Sequence, residues 1–233
     1  MFSLNESLIK KIIEETLPSF QNVESESLNL GFGYIFYSLV RTLRPKNVVV
    51  IGSKAGFAPI MFGLGVKDNY GYGVGKIECY NTKSIEQNEY GKVFFVDPSY
   101  SIERKDNNHW YGIGFWDKSE QVKKLWEKYE IYNIVEHYKM TSEEFVKSDH
   151  CPKDIDLIYI DGDHSYDGIS NDFNLYFSKI KRNGIIIAHD VDPQIPALLP
   201  NSGGYEVFND LPSDKFEKLR LPIFPGLALI RKK

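Results

Sequence analysis

The sequence predicts an α/β protein built on a doubly wound, mostly parallel seven-stranded sheet. Five short apolar runs, rich in β-branched residues, recur along the chain, which is the pattern of strands buried on both faces. Helical periodicity fills most of the intervals between these runs, so the connections are predicted to be crossovers between parallel strands. Two last apolar runs are joined by a short turn, which predicts a hairpin and an antiparallel last strand.

The boundaries of the elements follow from the apolar runs and their flanking residues. The central strands are predicted at 47–52, 92–97, 132–138, 156–161 and 184–190, and the hairpin strands at 216–222 and 227–232. Helices are predicted at 5–17, 28–43, 56–66, 117–129, 141–148 and 167–181. The second helix should end before Pro45, because proline disfavours a helical conformation in the preceding residue. We expect a single domain over 1–233, with N-terminal helices in 1–44 and the α/β core in 45–233.

Two segments, 67–91 and 98–116, are too long for ordinary turns and are rich in glycine and aromatic residues. One interpretation is that both are surface insertions without a role in the site. The other is that aromatic side chains such as Trp110, Tyr111 and Trp116 form a lid or wall over a substrate at the carboxyl edge of the sheet.

The composition argues against several classes of protein. A formal net charge of -4 does not suit a protein that coats nucleic-acid phosphates, which needs a basic face. No apolar stretch approaches the roughly 20 residues that cross a bilayer, and the N-terminal segment has the pattern of a surface helix rather than a secretion signal. The two cysteines, Cys79 and Cys151, are too few for a disulfide framework. We therefore expect a cytoplasmic protein.

The first strand ends in the turn Gly52-Ser53-Lys54-Ala55-Gly56-Phe57, whose glycines would let backbone N–H groups approach a ligand. In open parallel sheets, ligands bind at the carboxyl ends of the strands, where the strand order reverses. The turn lacks the middle glycine of the dinucleotide fingerprint, and Lys54 stands in the wrong place for a phosphate-binding P-loop. The turn therefore favours a nucleoside-containing ligand other than a nicotinamide dinucleotide.

Polar residues also follow the second and third strands. Asp97 ends the second strand, where a carboxylate can accept hydrogen bonds from the vicinal hydroxyls of a ribose. The alternative for Asp97 is a solvated acid before a turn. Thr141 and Ser142 precede the helix after the third strand, and helix capping alone explains them. A position of Ser142 near the edge of an adenine is the second hypothesis.

Three carboxylates and a histidine stand within seven residues directly after the fourth strand. Such a cluster is costly unless a cation lies among its carboxylates. The fifth strand ends at His189 and Asp190, and parallel pairing would bring this end beside Asp161. Because oxygen and imidazole ligands suit a divalent ion, these three residues are predicted metal ligands. The alternative is that Asp161 and Asp163 cap the next helix and that His164 is a partly buried, hydrogen-bonded residue.

In chain order, the segments GSKAGF, VFFVDPS, IDLIYIDGDHSYDGISND and NGIIIAHD resemble the motifs of the macrocin-type O-methyltransferases and their relatives. The resemblance covers roughly residues 45–192, and its most specific part is DGDHSYDG with the later HD pair. It implies the Rossmann-like methyltransferase fold, S-adenosylmethionine (SAM) as cofactor, and Mg²⁺ or another divalent cation.

The resemblance also implies roles for individual residues. Asp97 would hold the ribose hydroxyls of SAM, Asp161 would bind both the cofactor and the metal, and His164 would be the general base. The other candidates for SAM binding are Gly52, Ser53, Gly56, Phe57 and Ser142, and the metal positions after the fifth strand are His189 and Asp190. The chain departs from the family pattern at Val50, where an acid is frequent, and at His189, where relatives often carry Glu or Asp.

These residues suit methyl transfer, because the sulfonium methyl group is already electrophilic and the enzyme must align a nucleophilic oxygen and accept its proton. The favoured function is metal-dependent O-methylation of a small hydroxylated molecule, such as a sugar, a glycosylated natural product or a phenol. A second hypothesis is methyl transfer to nitrogen or without a metal, and a third is a nucleoside-binding module without catalysis. The apolar N-terminal helices could serve as the surface of a homodimer.

Overall fold

A seven-stranded sheet forms the centre of the structure, a computed structural model that describes residues 4–16, 23–71, 91–99, 115–117, 119–221 and 223–233. Its strands are β1 (Asn47–Ile51), β2 (Lys92–Val96), β3 (Val135–Tyr138), β4 (Ile155–Ile160), β5 (Ile180–His189), β6 (Phe216–Leu221) and β7 (Leu227–Lys232). Their order across the sheet is β3-β2-β1-β4-β5-β7-β6. β7 is antiparallel to both of its neighbours, and the pairs from β3 to β5 are parallel. The predicted doubly wound sheet with an antiparallel last strand is confirmed.

Helices cover both faces of this sheet. Within the described residues they are α1 (Glu6–Thr16), α2 (Val23–Leu43), α3 (Phe57–Gly71), α4 (Ser119–Lys128), α5 (Ser142–Lys147), α6 (Tyr166–Phe177), α7 (Ile195–Leu198) and α8 (Gly204–Asp210). Side chains of α1 to α4 form one core with strand residues such as Val48 and Val50. Those of α5, α6 and α8 form a second core with Val49 and Ile51, because successive side chains of a strand point to opposite faces.

The N-terminal helices pack directly on the sheet. α1 begins after Asn5, whose side chain accepts a hydrogen bond from the backbone N–H of Leu8 at 2.9 Å, as expected of an N-cap. α2 ends before Pro45, as predicted. Phe36 of α2 packs against Tyr159 of β4, with ring centroids 5.0 Å apart. The two helices therefore share one apolar core with the strands.

The predicted helix over 167–181 is wrong at its end, because α6 stops at Phe177 and β5 begins at Ile180. Ile180 pairs with Ile155 of β4, and the backbone N–H of Ile155 donates to the carbonyl of Lys179 at 2.8 Å. Ile180 is buried, and a buried apolar side chain fits the end of a helix and the start of a strand equally well. Apolar spacing alone therefore could not locate this boundary.

The C-terminal segment contains α7 and α8, two short helices that were not predicted. Lys218 of β6 satisfies the end of α8, donating to the carbonyls of Phe208 at 2.7 Å and Leu211 at 2.9 Å. The predicted hairpin of β6 and β7 is confirmed. None of the described helices is long and apolar enough to span a membrane. Cytoplasmic location and a single-domain organisation stay predictions.

Candidate active site

The carboxyl ends of β1, β2, β4 and β5 meet at one edge of the sheet and carry the predicted site residues. β1 lies between β2 and β4, and the last residues of these three strands are paired with one another. Gly52, Asp97 and Asp161 directly follow the three strands, and His189 ends β5. The strand order reverses at β1, which is where ligands bind in open parallel sheets.

Gly52 is required by the close approach of the end of β4. Its φ is +71°, and a Cβ at this position would lie 2.3 Å from the carbonyl oxygen of Asp161. Its N–H donates to the carbonyl of Val96 at 2.9 Å. L side chains rarely adopt this backbone conformation. Gly52 therefore allows the ends of β1, β2 and β4 to approach one another closely at this edge of the sheet.

Gly56 marks the place where the ring of Trp116 touches the same turn. A Cβ on Gly56, whose φ is +102°, would lie 2.9 Å from the ring of Trp116. Trp116 is buried and stacks on Trp126 with ring centroids 5.6 Å apart, so its ring belongs to the apolar core. Its role beside a substrate stays a prediction. The other aromatic candidates, Trp110 and Tyr111, lie outside the described residues.

Phe57, predicted to bind the cofactor, has its side chain in the apolar core. The ring is buried, and it packs against Phe36 of α2 with ring centroids 6.4 Å apart. The residue begins α3, so its side chain leaves the turn toward the N-terminal helices. Contact with a ligand in the crevice is therefore left to the backbone of the turn.

Asp97 is buried at the end of β2, with 9% of its surface exposed. Its carboxylate accepts hydrogen bonds from the backbone N–H of Ser99 at 2.7 Å and from the backbone N–H of Ser53. Burial raises the pKa of Asp97, and these two N–H groups offset part of that increase by stabilising the charged form. The alternative of a solvated acid is therefore wrong. The structure holds the carboxylate against the glycine turn.

Ser142 occupies the first turn of α5 and contacts a buried acid that was not predicted. The capping interpretation is confirmed for Thr141, because its hydroxyl accepts from the N–H of Glu144 at 3.2 Å and Glu144 accepts from the N–H of Thr141 at 2.8 Å. The hydroxyl of Ser142 instead donates to Asp172 of α6. Burial raises the pKa of Asp172 to about 6, against the effect of this hydrogen bond. An acid inside a helix is normally solvated, so the sequence carried no signal for Asp172.

Replacing Asp172 by Asn is expected to stabilise the fold at neutral pH. The folded-state pKa is raised to about 6, so between its unfolded value and that value the native state binds more protons, and stability falls as the pH rises. A pKa shift of about two units corresponds to at most about 3 kcal/mol of destabilisation by the charged carboxylate. Because the variant also weakens the hydrogen bond to Ser142, the expected net gain in the free energy of unfolding is about 1–2 kcal/mol. Urea unfolding at about pH 4.5 and about pH 7.5 should show the gain only at the higher pH. An equal effect at both pH values, or the same gain in the exposed-site variant Asp149→Asn, would contradict this account.

Two imidazoles and two carboxylates form a compact group, the His–Asp cluster, made of Asp161, His164, His189 and Asp190. Nδ1 of His164 lies 2.5 Å from Oδ2 of Asp190, and its Nε2 lies 3.5 Å from Oδ1 of Asp161. Nδ1 of His189 lies 2.9 Å from Oδ1 of Asp190, an ion-pair contact without hydrogen-bond geometry, and 3.5 Å from Oδ1 of Asp161. The structure thus brings the predicted base and the three predicted metal positions together.

The charges of the cluster determine which groups carry protons. Burial by itself would lower the pKa of His189, but the charges of Asp190 and Asp161 raise it to about 9. Burial likewise opposes the charged form of His164, and the hydrogen bond to Asp190 and the charge of Asp161 raise its pKa above the usual value. Burial acts to raise the pKa of Asp190, yet the two imidazoles hold it well below its usual range. Asp190 is therefore ionised and His189 protonated near neutrality.

The side chains of the cluster are paired with one another rather than arranged around a common centre. In the part of the chain that the structure describes, no group of three or more His, Cys, Asp or Glu side chains is arranged to hold a metal ion. Each oxygen of Asp190 lies against an imidazole nitrogen instead. In this arrangement the imidazoles balance the charges of the carboxylates. Metal binding by Asp161, His189 and Asp190 stays a prediction.

Hydrogen bonds hold the part of the β4–α6 loop that lies next to α6. Ser165 is the N-cap of α6 and accepts from the N–H of Gly168 at 3.0 Å, while Asp163 accepts from the N–H of Ser165 at 2.9 Å. Asp163 thus supports the helix start, but Asp161 does not, so the capping alternative explains one acid of the two. The carbonyl of His164 accepts from the N–H of Gly203 at 2.8 Å.

Two aromatic residues beside the cluster were missed by sequence reasoning. Phe32 of α2 lies edge-on to His189, with ring centroids 5.4 Å apart. Tyr159 is buried and its hydroxyl hydrogen-bonds to the carboxylate of Asp161. Alternation along β4 could have found Tyr159, because it lies two residues before Asp161 and points to the same face. No sequence signal connects Phe32 with a strand end so far along the chain.

The strand order, with its reversal at β1 and an antiparallel β7 inserted beside β5, defines the class of protein: this is the fold of the SAM-dependent methyltransferases. The sequence profile of the family described as a methyltransferase domain matches residues 49–191, more than half of the chain. The chain belongs to this methyltransferase family.

Solved structures with the same fold include three methyltransferases with bound cofactor or product. TomG of Streptomyces achromogenes, an O-methyltransferase of tomaymycin synthesis in complex with SAM, has a TM-score of 0.62 at 12% identity, over 100% of this chain and 91% of its own. The O-methyltransferase of Bacillus cereus in complex with S-adenosylhomocysteine (SAH) has a TM-score of 0.60 at 13% identity, over 100% and 94%. SAH-bound PaMTH1 of Podospora anserina has a TM-score of 0.61 at 15% identity, over 100% and 98%. At these identities the similarity shows a shared fold.

One curated relative matches part of the chain. It is an uncharacterised protein of Acanthamoeba polyphaga mimivirus, 38% identical over 77 residues, which are 31% of this chain and 35% of that protein. The matched part of the chain therefore corresponds to about a third of the length of this relative. These comparisons support an O-methyltransferase fold, and membership of the macrocin-type group stays a prediction.

Proposed function

We propose that this protein transfers the methyl group of SAM to a hydroxyl oxygen of a small molecule, with His164 as the proton acceptor. The observation that carries the proposal is the contact between the glycine turn and the His–Asp cluster. The backbone of Asp161 packs against Gly52, and the carboxylate of the same residue lies 3.5 Å from Nε2 of His164. A cofactor on the turn would therefore have its reacting end near the base.

The cofactor has a defined place in this proposal. Backbone groups of Gly52, Ser53 and Gly56 line its path, and the buried carboxylate of Asp97 accepts the ribose hydroxyls. Ser142 begins α5 after β3, and we assign it a position near the adenine. TomG, which holds SAM, and the Bacillus cereus enzyme, which holds SAH, share this fold and support SAM as the cofactor.

The mechanism assigned to these residues needs no step through a metal ion. Metal assistance was the favoured expectation, but both oxygens of Asp190 pair with imidazoles. Metal-independent transfer, the second hypothesis, is favoured by this pairing. His189 supplies positive charge beside the two carboxylates, and His164 removes the proton of the acceptor, a contribution typically worth about 10²–10⁴-fold in rate.

The acceptor is proposed to be a hydroxylated small molecule, such as a sugar, a glycosylated natural product or a phenol, as the macrocin-type resemblance implies. The net charge of -4 supports a partner other than nucleic acid. A cytoplasmic location and a homodimer formed through the N-terminal helices belong to the same proposal.

Replacing Asp97 by Ala is expected to weaken SAH binding by about ten- to hundredfold, because hydrogen bonds to a charged group contribute about 1.5–3 kcal/mol. Calorimetric titration of the wild type with SAH should give a dissociation constant in the micromolar range, and NAD should not bind. The exposed-site variant Asp149→Ala serves as the matched control and should bind SAH like the wild type.

The outcomes separate the three functional hypotheses. SAH binding that survives Asp97→Ala would place the ribose elsewhere and refute the assigned cofactor site. Failure of the wild type to bind SAH would favour a module without catalysis. Binding of SAH with transfer only to amines would indicate a nitrogen acceptor.

A further inference from the structure

His164 is held through one of its two ring nitrogens. Nδ1 lies 2.5 Å from Oδ2 of Asp190, whereas Nε2 lies 3.5 Å from Oδ1 of Asp161, beyond an ordinary hydrogen bond. An ionised carboxylate only accepts hydrogen bonds, so the bond to Asp190 places a proton on Nδ1. In the neutral ring, Nε2 then keeps its lone pair.

Asp190 is itself fixed in position. Its side chain is 6% exposed, and its backbone adopts a φ of +59°. α8 begins against this backbone, since a Cβ on Gly204 would lie 2.6 Å from the carbonyl oxygen of Asp190. The N–H of Gly203 donates to the carbonyl of His164 at 2.8 Å. One segment of the chain therefore braces both members of the His164–Asp190 pair.

We propose that Asp190 is a positioning residue for His164, which it holds in the tautomer with the proton on Nδ1, so that Nε2 takes the proton of the methyl acceptor. This inference rests on the proposed function and gives Asp190 a role other than the metal binding implied by the family resemblance. The proposed role also gives a reason for the close packing around Asp190, whose backbone is left-handed. A displacement of its carboxylate would turn the imidazole of His164.

The step balances with the groups present and the cofactor. A lone pair of the acceptor oxygen forms the new C–O bond to the methyl carbon, and the S–C bond breaks with its electron pair moving to sulfur, which gives SAH. The O–H proton of the acceptor moves to Nε2 of His164. Asp190 then stabilises the imidazolium through Nδ1, as a carboxylate does for the histidine of a catalytic triad.

Nitrogen-15 NMR of protein labelled at its five histidines tests the tautomer directly. At a pH above the titration of His164, the wild type should show a protonated Nδ1 and an unprotonated Nε2. Asp190→Asn should move protons to Nε2, because the new amide can donate to Nδ1, and Asn tolerates the left-handed backbone. Asp192→Asn is the matched control, since Asp192 accepts from the N–H of Gln194 at 2.9 Å, and it should leave the His164 signals unchanged.

Kinetic measurements add a second readout. Asp190→Asn should bind SAH with an affinity within about twofold of the wild type, while kcat falls by about a hundredfold. The reason is that a wrong tautomer affects proton transfer rather than cofactor binding.

A wild-type His164 protonated on Nε2, or a tautomer unchanged in Asp190→Asn, would overturn the inference. So would saturable broadening of the His189 signals by Mn²⁺ that disappears in Asp190→Asn, because Asp190 would then be a metal ligand. If the wild type fails to bind SAH, the proposed function fails, whereas the spectra still decide the pairing of His164 with Asp190.

Discussion

Replacing His164 by Gln is expected to lower the rate of methyl transfer by about 10²–10⁴-fold, the usual contribution of a general base. Gln keeps a polar side chain beside Asp190 but cannot accept a proton near neutrality. Because the proposal assigns no cofactor contact to His164, SAH affinity should stay within about twofold of the wild type. Transfer of radiolabelled methyl from SAM to the acceptor measures the first quantity, and calorimetry measures the second.

His150→Gln is the control for this experiment. His150 is exposed and packs beside Tyr138 at the end of β3, with ring centroids 5.1 Å apart, and it has no place in the cluster. The control should leave both quantities unchanged. A His164→Gln variant that turns over at the wild-type rate would rule out the base, and one that loses SAH binding would assign the residue to the cofactor site.

Replacing Gly52 by Ala is expected to damage the fold and the site together. The new Cβ would lie 2.3 Å from the carbonyl oxygen of Asp161, at a residue whose φ is +71°. The left-handed conformation costs about 1–2 kcal/mol and the overlap a further 1–3 kcal/mol. The free energy of unfolding in urea should therefore fall by about 2–5 kcal/mol. SAH affinity should fall by at least about tenfold, because the ends of β1 and β4 must separate.

Gly31→Ala is the matched control, because no atom of the described residues outside its own helix lies within 4 Å of a Cβ at this position. Inside a helix such a change is expected to stabilise the protein by about 0.5–1 kcal/mol. Equal stability of the two variants would show that the close approach of β4 to Gly52 does not constrain the site. A Gly52→Ala protein of wild-type stability that binds SAH normally would contradict the role of the turn.

The sheet could be predicted because its strands have a pattern that no other element shares. The run 48–51 is continuously apolar and β-branched, as expected of a strand covered on both faces. The end of α6 was misplaced, since Ile180 satisfies a helix and a strand equally. The short α7 and α8 escaped prediction because a few residues do not display a period.

The positions of the candidate site residues could be anticipated because each follows a strand, and parallel strands end at one edge of a sheet. Asp97 and Asp161 are examples, and the structure places both at that edge. The contacts of Asp172 and Phe32 could not be anticipated, because they depend on how α6 and α2 pack against the ends of the strands.

The order of elements, the glycine turn and the set of groups that can move a proton could be predicted from the residues alone, because these depend on local spacing and residue type. How the groups pair depends on the folded arrangement of the strand ends. Two carboxylates and two histidines at neighbouring strand ends are compatible with a metal site or with ion pairs, and the choice depends on distances of a few tenths of an ångström. The 2.5 Å contact between His164 and Asp190 favours the paired imidazole of the proposed mechanism, and metal binding by Asp161, His189 and Asp190 stays a prediction.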